Sequence, residues 1–201
     1  MALALAAAPA VAGGQAPTTQ PPPLPCKSRA AGKPWHGRLV CGVQLPAESA
    51  TFVTWDFPLR RFPNADWRRW GTAELVATVE SIAADYQTRF GVGPRLVIGD
   101  LSRPHGGSFG PEYGGVGHAS HQNGRDVDIF YPRLDGLEMP PDRPRDVDRV
   151  RAQWLVNRAA RSAQLVFIGR RVGLKRRFKR VQYLPAYHEN HLHLRIPQPH
   201  P

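Results

Sequence analysis

Two short windows hold most of the residues in this chain whose side chains can do chemistry. The first, HASHQNGRDVDIFY, runs from His118 to Tyr131 and sets histidines and aspartates close together before a β-branched and aromatic run. The second, YHENHLHLRI, runs from Tyr187 to Ile196 and holds His188, His191 and His193. Histidine gathered in this way suits acid–base work or metal ligation, because imidazole titrates near neutrality and offers a nitrogen lone pair. His36, His105 and His200 stand apart and are read as ordinary structural residues. Of these, only His105 sits in a loop adjoining the first window.

Read as strands, both windows sort their side chains by face. Asp126, Asp128 and Phe130 share one face, and Val127, Ile129 and Tyr131 the other. In the same way His191, His193 and Arg195 oppose Leu192, Leu194 and Ile196. If the two strands pair, their polar faces coincide, and a divalent cation between them offsets the cost of burying a carboxylate. Histidine nitrogens with one carboxylate oxygen suit zinc, and three protein ligands leave a fourth position for water. Bound water of that kind has its pKa lowered from about 15.7 to about 7. A histidine–aspartate pair can also stabilise a turn without metal, and an H-x-H string alone is weak; the matched faces of both windows carry the metal reading. The pattern does not choose between His191 and His193 as ligand. Gly124 permits the turn before the strand. Ser120 and Gln122 either orient neighbouring groups or form that turn. Asp126 either supports a ligand histidine from behind or serves a backbone amide or Arg125.

The elements that must position these windows alternate irregularly. GRLVCGVQL (37–45) and a run ending at Phe57 read as strands. GTAELVATVESIAADYQTRF is the clearest helix, with apolar residues from Leu75 to Phe90 at helical spacing and Thr72 as its cap. A short buried strand follows from Arg95, then a glycine-rich loop over 103–117 that leads into the first window. A loop follows that window, and then a helix from Pro144 to about Ala163 with Val147, Val150, Trp154 and Leu155 inward. QLVFIG and NHLHLRI are the closing strands. This order predicts an α+β fold: a central, mainly antiparallel sheet with flanking helices and the metal site on the sheet face. Trp55, Trp67 and Trp70 are candidates to line a glycan groove, with two of the three expected in the core.

Composition bounds the rest. The chain has 201 residues, 41% hydrophobic and 21% charged, enough for one domain with a real core. Residues 1–32 read as a signal-like leader and a Pro/Ala-rich linker, and 33–201 as the domain. The apolar start and the A-x-A triplet at 10–12 suggest export, to the periplasm, the cell wall or the medium, although no basic stretch precedes them. No apolar run is long enough to span a bilayer. Cys26 and Cys41 fit one disulfide in an exported protein, or two separate thiols. Net charge is +11, and RRVGLKRRFKR (170–180) is its densest segment. That segment is either a patch for a polyanion or a solvated surface. No nucleic-acid motif accompanies it, so nucleic acid is not the expected partner.

The strings SHQNGRDVDIFY and YHENHLHLRI, in that order and with GDLSRPHGGSFG ahead of the first, resemble the penicillin-insensitive murein endopeptidases. The H-x6-D spacing of His121 and Asp128 and the H-x-H of His191 and His193 resemble the wider zinc peptidase group. That group joins lysostaphin-type endopeptidases, D-Ala-D-Ala metallopeptidases and the hedgehog signalling domain. The resemblance covers roughly residues 37–197. It implies His121, Asp128 and His193 as ligands of one zinc ion, His191 as the histidine beside the bound water or the oxyanion, and His188 as a further catalytic histidine. His118 matches a histidine that holds a second metal in some members. The DxxH that completes that second site is missing between Asp128 and His188, so His118 is read as lining the cleft and a second ion is not expected.

The resulting expectation is an exported, monomeric zinc endopeptidase that hydrolyses amide bonds in peptidoglycan stem peptides or crosslinks, with anionic cell-wall polymers as further partners. One rival is a D,D-carboxypeptidase or dipeptidase trimming D-Ala, with Arg103 or Arg195 pairing the free carboxylate. Another is a non-catalytic zinc-containing domain that binds the wall or a protein.

Overall fold

Alternating apolar residues build a central sheet whose two faces do different work. The computed structural model describes residues 26–111, 118–184 and 187–198. Its strands are β1 (Arg29–Lys33), β2 (His36–Val40), β3 (Val43–Gln44), β4 (Phe52–Thr54), β5 (Trp70–Gly71), β6 (Leu96–Ile98), β7 (Asp126–Phe130), β8 (Leu165–Ile168), β9 (Val181–Tyr183) and β10 (His191–Arg195). The helices are α1 (Ala73–Phe90) and α2 (Arg149–Ser162). Six strands form the main sheet in the order β4-β6-β7-β10-β8-β9. Its centre is antiparallel, through β6–β7, β7–β10 and β10–β8, while β4 and β9 join their neighbours in parallel. The fold is α+β with a mixed sheet, antiparallel where the two histidine windows meet.

One face of that sheet packs against both helices. Leu75, Val79, Ile82 and Tyr86 of α1 and Leu155, Val156 and Ala159 of α2 share one core with Val127, Ile129, Leu192 and Leu194. Apolar side chains three and four apart place that stripe on each helix. The Leu75 N–H donates to Thr72 Oγ1 at the start of α1, and Gly91, at φ +77°, follows its last residue. The second helix starts later than its apolar pattern suggests. Pro144–Asp146 forms a 3-10 turn, and Asp148 caps α2 by accepting from the N–H groups of Val150 and Arg151. Val147 is buried, but Val150 is 76% exposed rather than inward, because it lies in the first turn on the solvent side.

Two small sheets flank the main one. The expected strand over 37–45 is broken at Cys41, whose φ is +49°, so it divides between the β1–β2 hairpin and the β3–β5 pair. Cys26 and Cys41 are joined as a disulfide. Strand β1 begins inside the stretch that composition assigns to the linker. Its small residues carry no periodicity, and main-chain pairing with β2 holds it instead. The leader-like residues 1–25 and part of the glycine-rich loop lie outside the described residues. Among the described residues no helix is long and apolar enough to cross a membrane.

Candidate metal centre

The first window enters the site through a tight turn. His121 has φ +68° and Gly124 φ +76°. Left-handed geometry costs a histidine more than a glycine. At Gly124 a Cβ would lie 2.6 Å from Leu39 Cδ1. Neighbouring backbone holds the turn in place. The Gln122 N–H donates to Pro34 O (2.9 Å), the Gly107 N–H to Gln122 O (2.8 Å), and Asn123 Nδ2 to Gly32 O (3.1 Å). Gln122 therefore contributes main-chain turn contacts, and its side chain is not part of the cleft wall. Ser120 lines the cleft.

Strands β7 and β10 pair in the register that sets His193 opposite Asp128, His191 opposite Phe130 and Arg195 opposite Asp126. His121 Nε2 lies 3.1 Å from His193 Nδ1, His193 Nδ1 lies 3.0 Å from Asp128 Oδ1, and His121 Nε2 lies 3.5 Å from Asp128 Oδ1. Donors about 2.0–2.2 Å from a tetrahedral ion sit roughly 3.3–3.6 Å apart, so these three atoms form nearly the triangle one ion requires. Tautomers support the same conclusion. His121 Nδ1 is 2.6 Å from the Leu101 carbonyl, which can only accept, so Nδ1 carries the hydrogen and Nε2 the lone pair. His193 Nε2 faces Asp126 Oδ1 at 3.4 Å without forming a regular hydrogen bond, and Nδ1 points inward to the other two donors. Without an ion, two ring nitrogens and a carboxylate oxygen crowd one buried point, and a proton held on His193 relieves the crowding in the way a bound cation would. The donor set fits a metal ion.

Asp126 is fully buried beneath this cluster. It accepts the His121 backbone N–H (3.0 Å) and Arg195 Nε (2.6 Å) and lies 3.4 Å from His193 Nε2, so one carboxylate fixes the main chain at His121 and sits behind the His193 ring. Burial opposes its charge, but His193 and Arg195 outweigh that and hold it far below the usual carboxylate range. Burial likewise opposes the charge of Asp128, and His121, His191 and His193 hold its carboxyl well below the usual range. Burial alone would lower His193, but the two aspartates raise it to about 9. His191 and His188 move the other way. Burial lowers His191 to about 4 and His188 to about 3, with neighbouring imidazoles adding to both, so both are neutral at pH 7. Their ring centroids are 4.8 Å apart, and His191 Nε2 is 3.8 Å from Asp128 Oδ1. His191 Nδ1 donates to Asn190 Oδ1 (2.7 Å), leaving Nε2 as the lone-pair nitrogen.

His118 stands on the other side. His118, His121 and Asp128 bring ligand atoms within 4.8 Å of one another, so this trio could also hold a metal ion. The remaining His118 nitrogen, Nε2, is committed 2.7 Å from Asp100 Oδ2, and Asp100 in turn pairs with buried Arg68. Sequence reasoning missed Asp100 and Arg68. The available signal was an aspartate directly after the buried strand LVIG, where an unpaired charge is costly. The tryptophan reading needs correction. Trp55, Trp67 and Trp70 are half-buried against other residues, and none of them lines the main cleft; Trp55 borders a small neighbouring pocket. The tryptophan that lines the cleft is Trp35, beside Phe57, Phe130 and Phe167; it follows directly on a stretch read as linker and sits in no apolar pattern. Arg195 pairs with Asp126, and Arg103 Nη1 donates to Ser108 O (2.6 Å).

All five clustered histidines line a cleft of about 850 Å³. Fold and site together define an α+β protein that carries a histidine–aspartate cluster of metal-ligand type on the open face of its sheet. The sequence profile of the penicillin-insensitive murein endopeptidases matches residues 30–176, and the chain belongs to that family. Proteins of that name from Escherichia coli (strain SE11) and Salmonella paratyphi B (strain ATCC BAA-1250 / SPB7) are each 31% identical to it over 133 residues. Those residues are 66% of this chain but 41% of each relative, so the chain spans about two-fifths of their length. The profile match contains His118, His121 and Asp128 and ends before the second window. The β7–β10 pairing joins that window to the site.

Proposed function

We propose that this protein is a zinc-dependent endopeptidase that hydrolyses amide bonds in the stem peptides or crosslinks of peptidoglycan, acting in the periplasm or at the cell wall, with a catalytic domain that includes Cys26 and strand β1 ahead of the boundary at 33 that composition suggests. The observation that carries the reading is the convergence of His121 Nε2, His193 Nδ1 and Asp128 Oδ1 within 3.0–3.5 Å of one another, beside two neutral histidines on a cleft floor. Those three residues would hold one ion. When bound, zinc polarises a carbonyl and lowers the pKa of water.

The chain's own residues supply the rest. Neutral His191 presents Nε2 as a proton acceptor, fixed by Asn190. His188 is neutral and almost buried beside it, suited to donate a hydrogen bond to the oxygen that gains charge at the scissile carbonyl. Asp126 holds the main chain at His121 and backs the His193 ring, and the Asp100–His118 pair walls the site next to Asp128. Phe130 and Phe167 pack against the histidine rings and limit water around them. Basic residues in the β8–β9 connection favour a wall bearing anionic polymers.

Metal analysis of the purified protein, with digestion of purified sacculi followed by mass spectrometry, tests the reading. The expected result is one zinc per chain and loss of crosslinked muropeptide dimers, both abolished by a chelator and restored by zinc. Loss of terminal D-Ala alone would replace the endopeptidase assignment with a carboxypeptidase. Chelator-resistant turnover would overturn the metal assignment.

A further inference from the structure

The cleft extends beyond the ligand cluster at its centre. Along β10, His191, His193 and Arg195 line the cleft while Leu192 and Leu194 point into the core. Four residue steps separate His191 from Arg195, about 13 Å of strand. At the His191 end lies Phe130, with the half-exposed Phe57 ring stacked 6.0 Å away. At the Arg195 end lies Trp35, on the turn between β1 and β2 and 54% exposed. The two aromatic positions therefore lie at opposite ends of the strand segment that carries His193.

The hairpin does not need Trp35 to hold its place. The Cys26–Cys41 disulfide and the main-chain bonds of Gly32, Pro34 and Leu39 to the neighbouring loops anchor it. Trp35 instead presents its ring at the rim with two cations near it: Lys33 Nζ is 5.8 Å and Arg195 Cζ 6.0 Å from the ring centroid. Arg195 gives Nε and Nη2 to Asp126, which leaves Nη1 with no hydrogen bond to the described residues. Lys33 makes no ion pair with any described residue. An exposed indole beside donors of positive charge suits a substrate residue with an aliphatic body and a carboxylate.

We propose that Trp35 is a specificity-determining residue: it forms a subsite at the Arg195 end of the cleft, where a carboxylate-bearing residue of the peptide packs on the indole within reach of Lys33 and Arg195. This rests on reading the cleft as one that cuts peptidoglycan peptides. It deepens that reading by placing substrate on both sides of the ligand cluster, as an endopeptidase requires.

The test uses the zinc-loaded full chain with a soluble crosslinked muropeptide dimer, alongside the same dimer with its free carboxylates amidated. Trp35→Ala is expected to raise KM by about tenfold, equivalent to about 1.4 kcal/mol, with kcat held within about twofold. Trp35→Phe recovers most of the loss. Lys33→Gln removes the wild-type preference for the carboxylate form over the amidated one, and it scores the proposal even if Trp35→Ala fails to fold. Calorimetric binding of the dimer to chelator-treated protein separates the two readings. If the wild type binds the dimer without cutting it, and Trp35→Ala loses that binding, the peptidase reading fails while the subsite stands. If the wild type cuts the dimer and Trp35→Ala leaves both KM and binding unchanged, the subsite is overturned. Equal handling of the two dimers by the wild type overturns the carboxylate assignment.

Discussion

At the residue scale, the centre depends on how few side chains fix so many lone pairs. His121 and His193 each have one nitrogen directed at a fixed acceptor, and Asp126 serves both residues. Alanine at His121, Asp128 or His193 is therefore expected to abolish tight metal binding and turnover together, checked by metal analysis and muropeptide digestion. Asp126→Asn is a finer probe. It keeps the size of the side chain but weakens the hold on His193 and leaves Arg195 without its counter-charge. Metal affinity is expected to fall about 10- to 100-fold, the range found for groups that orient ligands from behind, read by competition with a chromogenic chelator. Unchanged affinity would mean the β7–β10 register alone positions the histidines. His191→Ala should separate the roles in the opposite sense, keeping the metal while losing turnover. That outcome decides between His191 and His193 as ligand, a choice strand alternation leaves open because both side chains share one face.

At the element scale, the site rests on a turn and on loops tied to neighbouring strands. Gly124→Ala puts a Cβ 2.6 Å from Leu39 Cδ1 at a φ of +76°, and the melting temperature is expected to fall by about 3–10 °C. A second tie is Glu138, which accepts from the Arg95 backbone N–H (2.9 Å) and from its Nη2 (2.8 Å) and so pins the 132–148 loop to the start of β6. The Arg95 hydrogen bonds lower the Glu138 pKa below its ordinary value. The unfolded chain therefore takes up this proton first as the solution is acidified. The stabilisation is complete above about pH 4.5 and is lost as pH falls through the depressed folded value. Both side chains are about a third exposed, so the tie contributes on the order of 1 kcal/mol or less. Glu138→Gln is expected to melt below the wild type at pH 7 and to converge with it in acid; a constant gap across pH would assign the effect to packing. Legibility follows the same physics. Helix α1, β7 and β10 were readable because their apolar faces repeat at 3.6 or 2 residues, and the faces of the two strands predicted which side chains meet. Strand β1 was not, because Arg-Ala-Ala-Gly-Lys has no apolar face and is held by main-chain bonds that composition does not encode. The Asp100–His118 contact and the Trp35 rim depend on where loops return in space, which spacing along the chain does not carry.

At the scale of the whole molecule, the densest positive charge lies outside the cleft. Net charge is +11, and the connection between β8 and β9 carries Arg170, Arg171, Lys175, Arg176, Arg177, Lys179 and Arg180. All seven are exposed, and none forms an ion pair with a described residue. Arg170 and Arg176 lie against the Tyr183 ring, and the Arg171 N–H donates to Glu189, so this surface adjoins the wall of the cleft that holds His188. Screening limits such charges to about 8 Å at physiological salt. They act on a polymer lying against the protein more than on a small peptide already in the cleft. Replacing Arg176, Arg177 and Lys179 with glutamine is expected to lower retention on purified sacculi several-fold and to flatten its salt dependence. Turnover of a soluble muropeptide dimer should be unchanged, because none of the three lines the cleft. Centrifugation binding assays across a salt series, with dimer digestion in parallel, make the comparison. Equal retention of variant and wild type at low salt would make this segment a solvated surface, and the excess charge would then bear on solubility alone.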